Sequence, residues 1–168
     1  PYKFNRQSKK IYLQNTQKFK EYVSFSKLGN YGRFGNQLFQ YAAVKSYSLK
    51  HSIPLLLPPG DEHRLYELRI ERNSASIQDI EFAADINYVQ KEFEFTPTFF
   101  DYYPRINFEG FFQSEKYFSD YEDIIRTEFQ LRDQKKLLFA QTKINEIRQD
   151  NPGKKLVAVH VRRGDTVP

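Results

Sequence analysis

Apolar and polar positions alternate from Tyr22 to Leu28 (Tyr-Val-Ser-Phe-Ser-Lys-Leu), the period of two expected of a strand. Gly29, Gly32 and Gly35 then punctuate a tight loop. From Asn36 to about Lys50 the period changes, with Leu38, Phe39, Ala42, Ala43, Tyr47 and Leu49 at helical spacing. A short apolar run, Ile53 to Leu57, closes on Pro58, Pro59 and Gly60 and predicts a second strand. Strand, glycine loop, helix and strand form the opening unit of a parallel α/β sheet.

Charged residues interrupt every apolar pattern across 60–90, and that stretch predicts no element. Further strands are expected at Val89–Phe95 and Ile106–Phe112, and helices at Glu115–Phe129 and Asp133–Asp150. The second helix carries Leu137, Leu138, Ile144 and Ile147 on one side, and Asn151-Pro152-Gly153 ends it. Lys155 to Val161 then reads as a buried parallel strand running into Arg162-Arg163-Gly164-Asp165. No internal repeat is present.

Composition narrows this picture. With 168 residues, 39% hydrophobic and 17% aromatic, the chain can bury the core of one domain with a piece of a second. It has no cysteine, which excludes disulfides, thiolate metal sites and a cysteine nucleophile. Its net charge of +5 suits a phosphorylated ligand. Basic residues gather in the first twenty positions and near the end, with Asp and Glu mixed through the middle; this distribution decides little, and no nucleic-acid partner is expected. No apolar run approaches the ~20 residues of a membrane span. The chain starts and stops on Pro and contains no Met, and it is read as part of a longer protein.

Three constellations could carry chemistry. The loop Gly29-Asn-Tyr-Gly-Arg-Phe-Gly35 lies between strand and helix, where ligands approach open α/β sheets. The same glycines also fit a plain tight turn with Asn36 capping the helix, and Arg33 and Gln37 fit surface positions. His160-Val-Arg-Arg-Gly-Asp165 stands at a strand exit, with two arginines whose forked donors suit phosphate oxygens. Pairing of those arginines with Asp165 is the bland reading, and an integrin-type reading of Arg163-Gly164-Asp165 would need an exposed extracellular loop. The aromatic stretch from Phe93 to Phe112 could stack on sugars or fill a core, and core packing is the commoner use.

Taken together the motifs are more specific. Gly32-Arg-Phe-Gly-Asn-Gln-Leu-Phe-Gln-Tyr-Ala42 resembles the N-terminal signature of the α-1,2-fucosyltransferase family. Asn107-Phe-Glu-Gly-Phe-Phe-Gln-Ser-Glu-Lys-Tyr-Phe118 is similar to its middle motif, and Val159-His-Val-Arg-Arg-Gly-Asp165 to its donor-binding motif. The three fall in the family's order and at its spacing. Two features depart from it: the flank before residue 22 matches nothing in the pattern, and Thr166 stands where many members carry an aromatic residue.

The resemblance implies an α/β, GT-B architecture of two Rossmann-like domains. The organisation it implies is a basic flank over 1–21, an N-terminal Rossmann-like acceptor-side domain over 22–153, and the first strand and loop of a C-terminal GDP-fucose-binding domain over 154–168. The implied activity is inverting transfer of L-fucose from GDP-fucose to a hydroxyl, the 2-OH of a galactoside, of an oligosaccharide or glycoconjugate acceptor. Residues 1–168 alone are expected to be inactive. The resemblance implies that Arg162, and with it Arg163, contacts the donor diphosphate, with His160, Gly164 and Arg33 also on the donor side. Arg162 and Asp165 are the catalytic candidates, Asp165 as a base by proximity, the alternatives being a base beyond residue 168 or none. Asn36, Gln37, Glu109 and Gln113 line the acceptor side or cleft, Glu109 being a second candidate base after Asp165. No metal or other cofactor is expected, since the chain holds no Asp-x-Asp pair. A cytoplasmic or peripheral membrane setting is expected in a bacterium, and the Golgi membrane in an animal. The competing readings are a protein or other glycan acceptor, and a nucleotide-sugar or phosphate-binding module without turnover.

Overall fold

The computed structural model describes residues 20–59, 63–70 and 84–159. Two compact units divide at Gln130 and Leu131. The first is built on a four-stranded sheet of β1 (Tyr22–Ser24), β2 (Leu55–Leu56), β3 (Ile86–Val89) and β4 (Arg105–Glu109). The spatial order is β2-β1-β4-β3 and every pair is parallel. Ser24 lies opposite Leu56 on one side and Asn107 on the other, and Val89 lies opposite Glu109.

The opening unit is as the residue pattern predicts, with one difference in kind. Tyr22, Val23, Ser24 and Phe25 are all buried, so β1 is covered on both faces rather than half-exposed. A central parallel strand is buried on both faces, and its polar positions must then find partners inside the protein. Asn107 supplies them. Its Oδ1 accepts from the Ser26 amide at 2.8 Å and from Ser24 Oγ at 3.1 Å, while its Nδ2 donates to Asn87 Oδ1 at 2.9 Å and to Ser26 Oγ at 3.1 Å.

Helix α1 (Phe34–His51) follows the glycine loop and packs on β1 and β2. Arg33 is its N-cap residue, so Asn36 sits inside the first turn and does not cap the helix. Gln37, expected in the cleft and otherwise fitting a surface position, is buried. The far side of α1 is tied to a short helix, α2 (Glu122–Glu128), by a nearly buried ion pair. Lys45 Nζ is 3.0 Å from Glu128 Oε1, and Tyr41 Oη donates to Oε2 of the same carboxylate at 2.7 Å.

Elsewhere the expected elements shift. The strand expected at 89–95 is β3 at Ile86–Val89, because Tyr88 packs its ring on Phe99, Phe108 and Phe112 and so sets which residues pair with β4. The strand expected at 106–112 stops at Glu109, since Gly110 (φ +152°) and Phe112 (φ +51°) turn the chain away from the ladder. The single helix expected at 115–129 is two 3₁₀ turns, Glu115–Tyr117 and Ser119–Tyr121, followed by α2. Tyr117 is buried, donates to Glu94 O at 3.2 Å and accepts from the Thr96 amide at 3.1 Å, and Phe118 (φ −144°, ψ 4°) leaves helical geometry.

In the second unit α3 runs Gln134–Asp150, with Asp133 Oδ1 accepting from the Lys135 and Lys136 amides at 2.9 and 3.3 Å as its cap. Asn151–Gly153 ends it, Gly153 at φ +73°. The buried strand expected at 155–161 is not formed over its described part. Residues 154–159 carry no regular structure, and Leu156, Val157 and Val159 are exposed. A parallel strand takes hydrogen bonds and cover from neighbours, and no described strand pairs with this run. Among the described residues, no helix is long and apolar enough to cross a membrane.

Candidate functional site

Because all four strands are parallel, the loops that follow them gather at one edge, the position where α/β sheets handle ligands. The loops leaving the adjacent strands β1 and β4 meet there. Glu109 ends β4, and both its carboxylate oxygens are engaged from the β1 loop. Lys27 Nζ lies 2.6 Å from Oε2, and Tyr31 Oη donates to Oε1. Gln40, buried on α1, spans the two loops by donating from Nε2 to Tyr31 O and to Gly110 O, each at 3.1 Å. Gln113 Nε2 donates to Asn36 Oδ1 at 2.7 Å.

Glycine is required at two points of this edge. At Gly32 (φ +73°) a Cβ would come within 1.9 Å of Asn36 Nδ2, so the bare backbone is what lets the Asn36 amide lie over the loop. At Gly110 (φ +152°) a Cβ would come within 2.5 Å of Gln90 Cβ. That contact holds the turn, since Gln90 Oε1 accepts from the amides of Phe111 and Phe112 at 2.8 and 2.9 Å. A bulky residue at φ +51°, as at Phe112, costs about 1–3 kcal/mol. Its complete burial against Phe25, Phe99, Phe108 and Tyr117 offsets that strain.

Of the residues singled out by sequence, Asn36, Glu109 and Gln113 come together at this edge. Arg33 stands beside them, exposed at the start of α1, while Gln37 is turned into the protein. His160, Arg162, Arg163, Gly164 and Asp165 lie outside the described residues. Lys27, Tyr31, Gln40, Gln90 and Asn107 belong to the site but were not singled out. Tyr31 lies inside the glycine loop and Asn107 opens the second motif, so their positions carried a signal. Lys27 and Gln90 carried none.

The charge state of Glu109 follows from its partners. Burial, the largest single influence, pushes its pKa up, but the hydrogen bonds from Lys27 and Tyr31 and the charge of Lys27 together outweigh it and hold the carboxyl below its ordinary 4.5. Tyr31 moves the other way, above 10.0, first through its hydrogen bond to Glu109 and then through burial. Stability from the Glu109 contacts is therefore fully present above pH 4.5 and lost as pH falls through the lowered folded value. The Tyr31 contribution is present below pH 10 and lost as pH rises beyond it. The pair is partly exposed, so its contribution is about 0.5–1 kcal/mol. Urea midpoints measured from pH 6 down to about pH 3 are expected to show an acid-sensitive component that Glu109→Gln lacks. Equal acid slopes for the two proteins would remove the clamp from the account.

An all-parallel α/β sheet with ionic, amide and aromatic side chains gathered at the carboxyl edge of its central strands defines a Rossmann-like ligand-handling domain. The chain belongs to glycosyl transferase family 11, whose model matches residues 3–168. This is the family of the α-1,2-fucosyltransferases, and membership implies fucosyl transfer from a nucleotide sugar to a glycan. No curated protein and no solved structure matches the chain.

Proposed function

We propose that the protein supplies the acceptor side of an inverting transferase that moves L-fucose from GDP-fucose to the 2-OH of a galactoside. One observation carries this reading. Two family motifs, 32–42 and 107–118, converge on a single sheet edge and are joined there by the Gln113–Asn36 and Gln40–Gly110 hydrogen bonds. Such an edge offers amide donors and acceptors for sugar hydroxyls.

In the proposed reaction the acceptor oxygen attacks the anomeric carbon of fucose from the face opposite GDP. The bond from that carbon to the diphosphate oxygen breaks, and the acceptor proton passes to Asp165. Arg162 and Arg163, with His160 and Gly164, receive the charge that builds on the departing diphosphate, the role that a metal ion fills in other transferases. Glu109 is a positioning residue in this scheme. Both its oxygens are already engaged and its carboxyl is held ionised, which makes it a poor acceptor for a further proton. Its part is to hold the β1 loop, with Arg33 and Asn36, against β4.

The test is initial-rate transfer from GDP-fucose to lactose by the complete enzyme, with linkage analysis of the product and parallel arms in excess EDTA and added Mg²⁺ or Mn²⁺. The expected product carries fucose on the galactose 2-OH, at a rate that survives EDTA. A modest stimulation by cations fits faster release of GDP. Abolition by EDTA with recovery on adding metal would overturn the arginine-only account. Transfer only to a protein or at another hydroxyl would change the acceptor, and GDP-fucose binding without turnover would make the protein a binding module.

A further inference from the structure

Two groups of rings in the aromatic stretch from Phe93 to Phe112 have opposite settings in the fold. Phe99, Phe108 and Phe112 are buried and pack on one another, the core role. Phe93 and Phe111 stand apart from them. Their rings stack at 6.0 Å and 25°, and Tyr31 meets Phe111 edge-on at 5.8 Å and 84°. Phe93 is 72% exposed, and Phe111 and Tyr31 are half-buried. This row of rings therefore lies on the surface beside Glu109 and two residues from Gln113, at the same edge as the hydrogen bonds that join the two motif loops.

We propose that Phe93 and Phe111, continued by Tyr31, form a stacking platform for a pyranose ring of the acceptor glycan. The inference rests on the fucosyltransferase reading and assigns that reaction's acceptor subsite to particular rings. A pyranose has one face of C–H bonds and a rim of hydroxyls. The first matches an aromatic face, and the second matches amides at its margin. Here Asn36 and Gln113 supply the amides. A peptide or lipid partner would need apolar cover extending beyond these rings, whereas the neighbouring groups are a carboxylate, an ammonium and amides.

Among the described residues, Oε1 of Gln40 and Nε2 of Gln90 are buried without a hydrogen-bond partner, although buried polar atoms are nearly always paired. Both side chains hold the turn that carries Phe111, Gln40 through Gly110 O and Gln90 through the Phe111 and Phe112 amides.

The experiment is saturation-transfer NMR on the chain with millimolar lactose as the probe, repeated with Phe93→Ala, Phe93→Tyr and Phe111→Leu. The protein is expected to transfer saturation to protons on one face of the galactose ring. Phe93→Ala should raise the lactose Kd about five- to tenfold, the size of one aromatic contact, while Phe93→Tyr keeps it within about twofold. Phe93 is exposed, so the Ala variant should melt with the parent, which separates lost stacking from lost folding. An absence of saturation transfer from the parent protein, or equal lactose affinity for parent and Phe93→Ala, overturns the platform. Fucose transfer by the complete enzyme is scored separately. Transfer with a KM for lactose indifferent to Phe93→Ala would sink the platform and leave the fucosyltransferase reading standing. Lactose binding that depends on Phe93, with no transfer to any acceptor, would do the reverse.

Discussion

Replacing Phe99 by Ala is expected to destabilise the first unit by about 3–5 kcal/mol, enough to unfold a marginal domain at physiological temperature. Phe99 is almost fully buried, and its ring centroid lies 4.4 Å from Phe108, 4.8 Å from Tyr117, 5.2 Å from Phe112, 5.9 Å from Tyr47 and 6.3 Å from Tyr88. Those rings come from α1, β3, β4 and the turns that follow, so one truncation opens a cavity where all of these elements meet. Phe99→Leu keeps most of the volume and should cost less than about 2 kcal/mol. Urea denaturation followed by far-ultraviolet circular dichroism gives both numbers. A Phe99→Ala variant within 1 kcal/mol of the parent, on the scale of that ~3–5 kcal/mol cost, would mean that the aromatic cluster closes up around the gap. The effect should reach the site as well, because the strained backbone of Phe112 is held by the packing that Phe99 supplies.

The second large effect concerns Arg162 in the complete enzyme and follows from the proposed function. Arg162→Ala is expected to lower kcat by about 10²–10³, the loss seen when one preorganised donor to a developing charge is removed. Arg162→Lys should recover less than about a tenth of that loss, since a point ammonium cannot reproduce two parallel contacts to phosphate oxygens. Single-turnover transfer from GDP-fucose is the measurement, because it isolates the chemical step from release of GDP. Near-normal turnover by the Lys variant would show that charge alone suffices.

Together the two predictions separate what each part of the chain contributes. The aromatic core and the Lys45–Glu128 tie hold a sheet whose edge presents Asn36, Gln113 and the exposed rings. The arginines carry the chemistry of the leaving group in the proposed reaction. Glu109 belongs with the first group. As a carboxylate at the end of a strand in a transferase it has the chemical type of a base, yet its two engaged oxygens make it a fastening between loops.

Much of the first unit was legible along the chain. The switch from a period of two to helical spacing at the glycine loop marked β1 and α1, because side-chain direction repeats locally and needs no knowledge of the fold. The apolar run at 53–57 marked β2, and Asp133 marked the start of α3. Three motifs resembled those of the family to which the match over residues 3–168 assigns the chain, and Asn36, Glu109 and Gln113 stand in two of them. What local pattern could not decide were the ends of β3 and β4 and the breaking of the helix expected at 115–129. Those are set by where Tyr88, Phe112 and Tyr117 find room in a shared aromatic core. The roles of the site residues were equally non-local. Lys27 and Tyr31 reach Glu109 across 82 and 78 residues of chain, and Gln40 reaches Gly110 across 70. The sequence determined which side chains were available and on which elements they stand. Only the parallel pairing of β1 with β4 decided which of them meet, because hydrogen bonds and ring contacts depend on distances of a few ångströms that no spacing along the chain encodes.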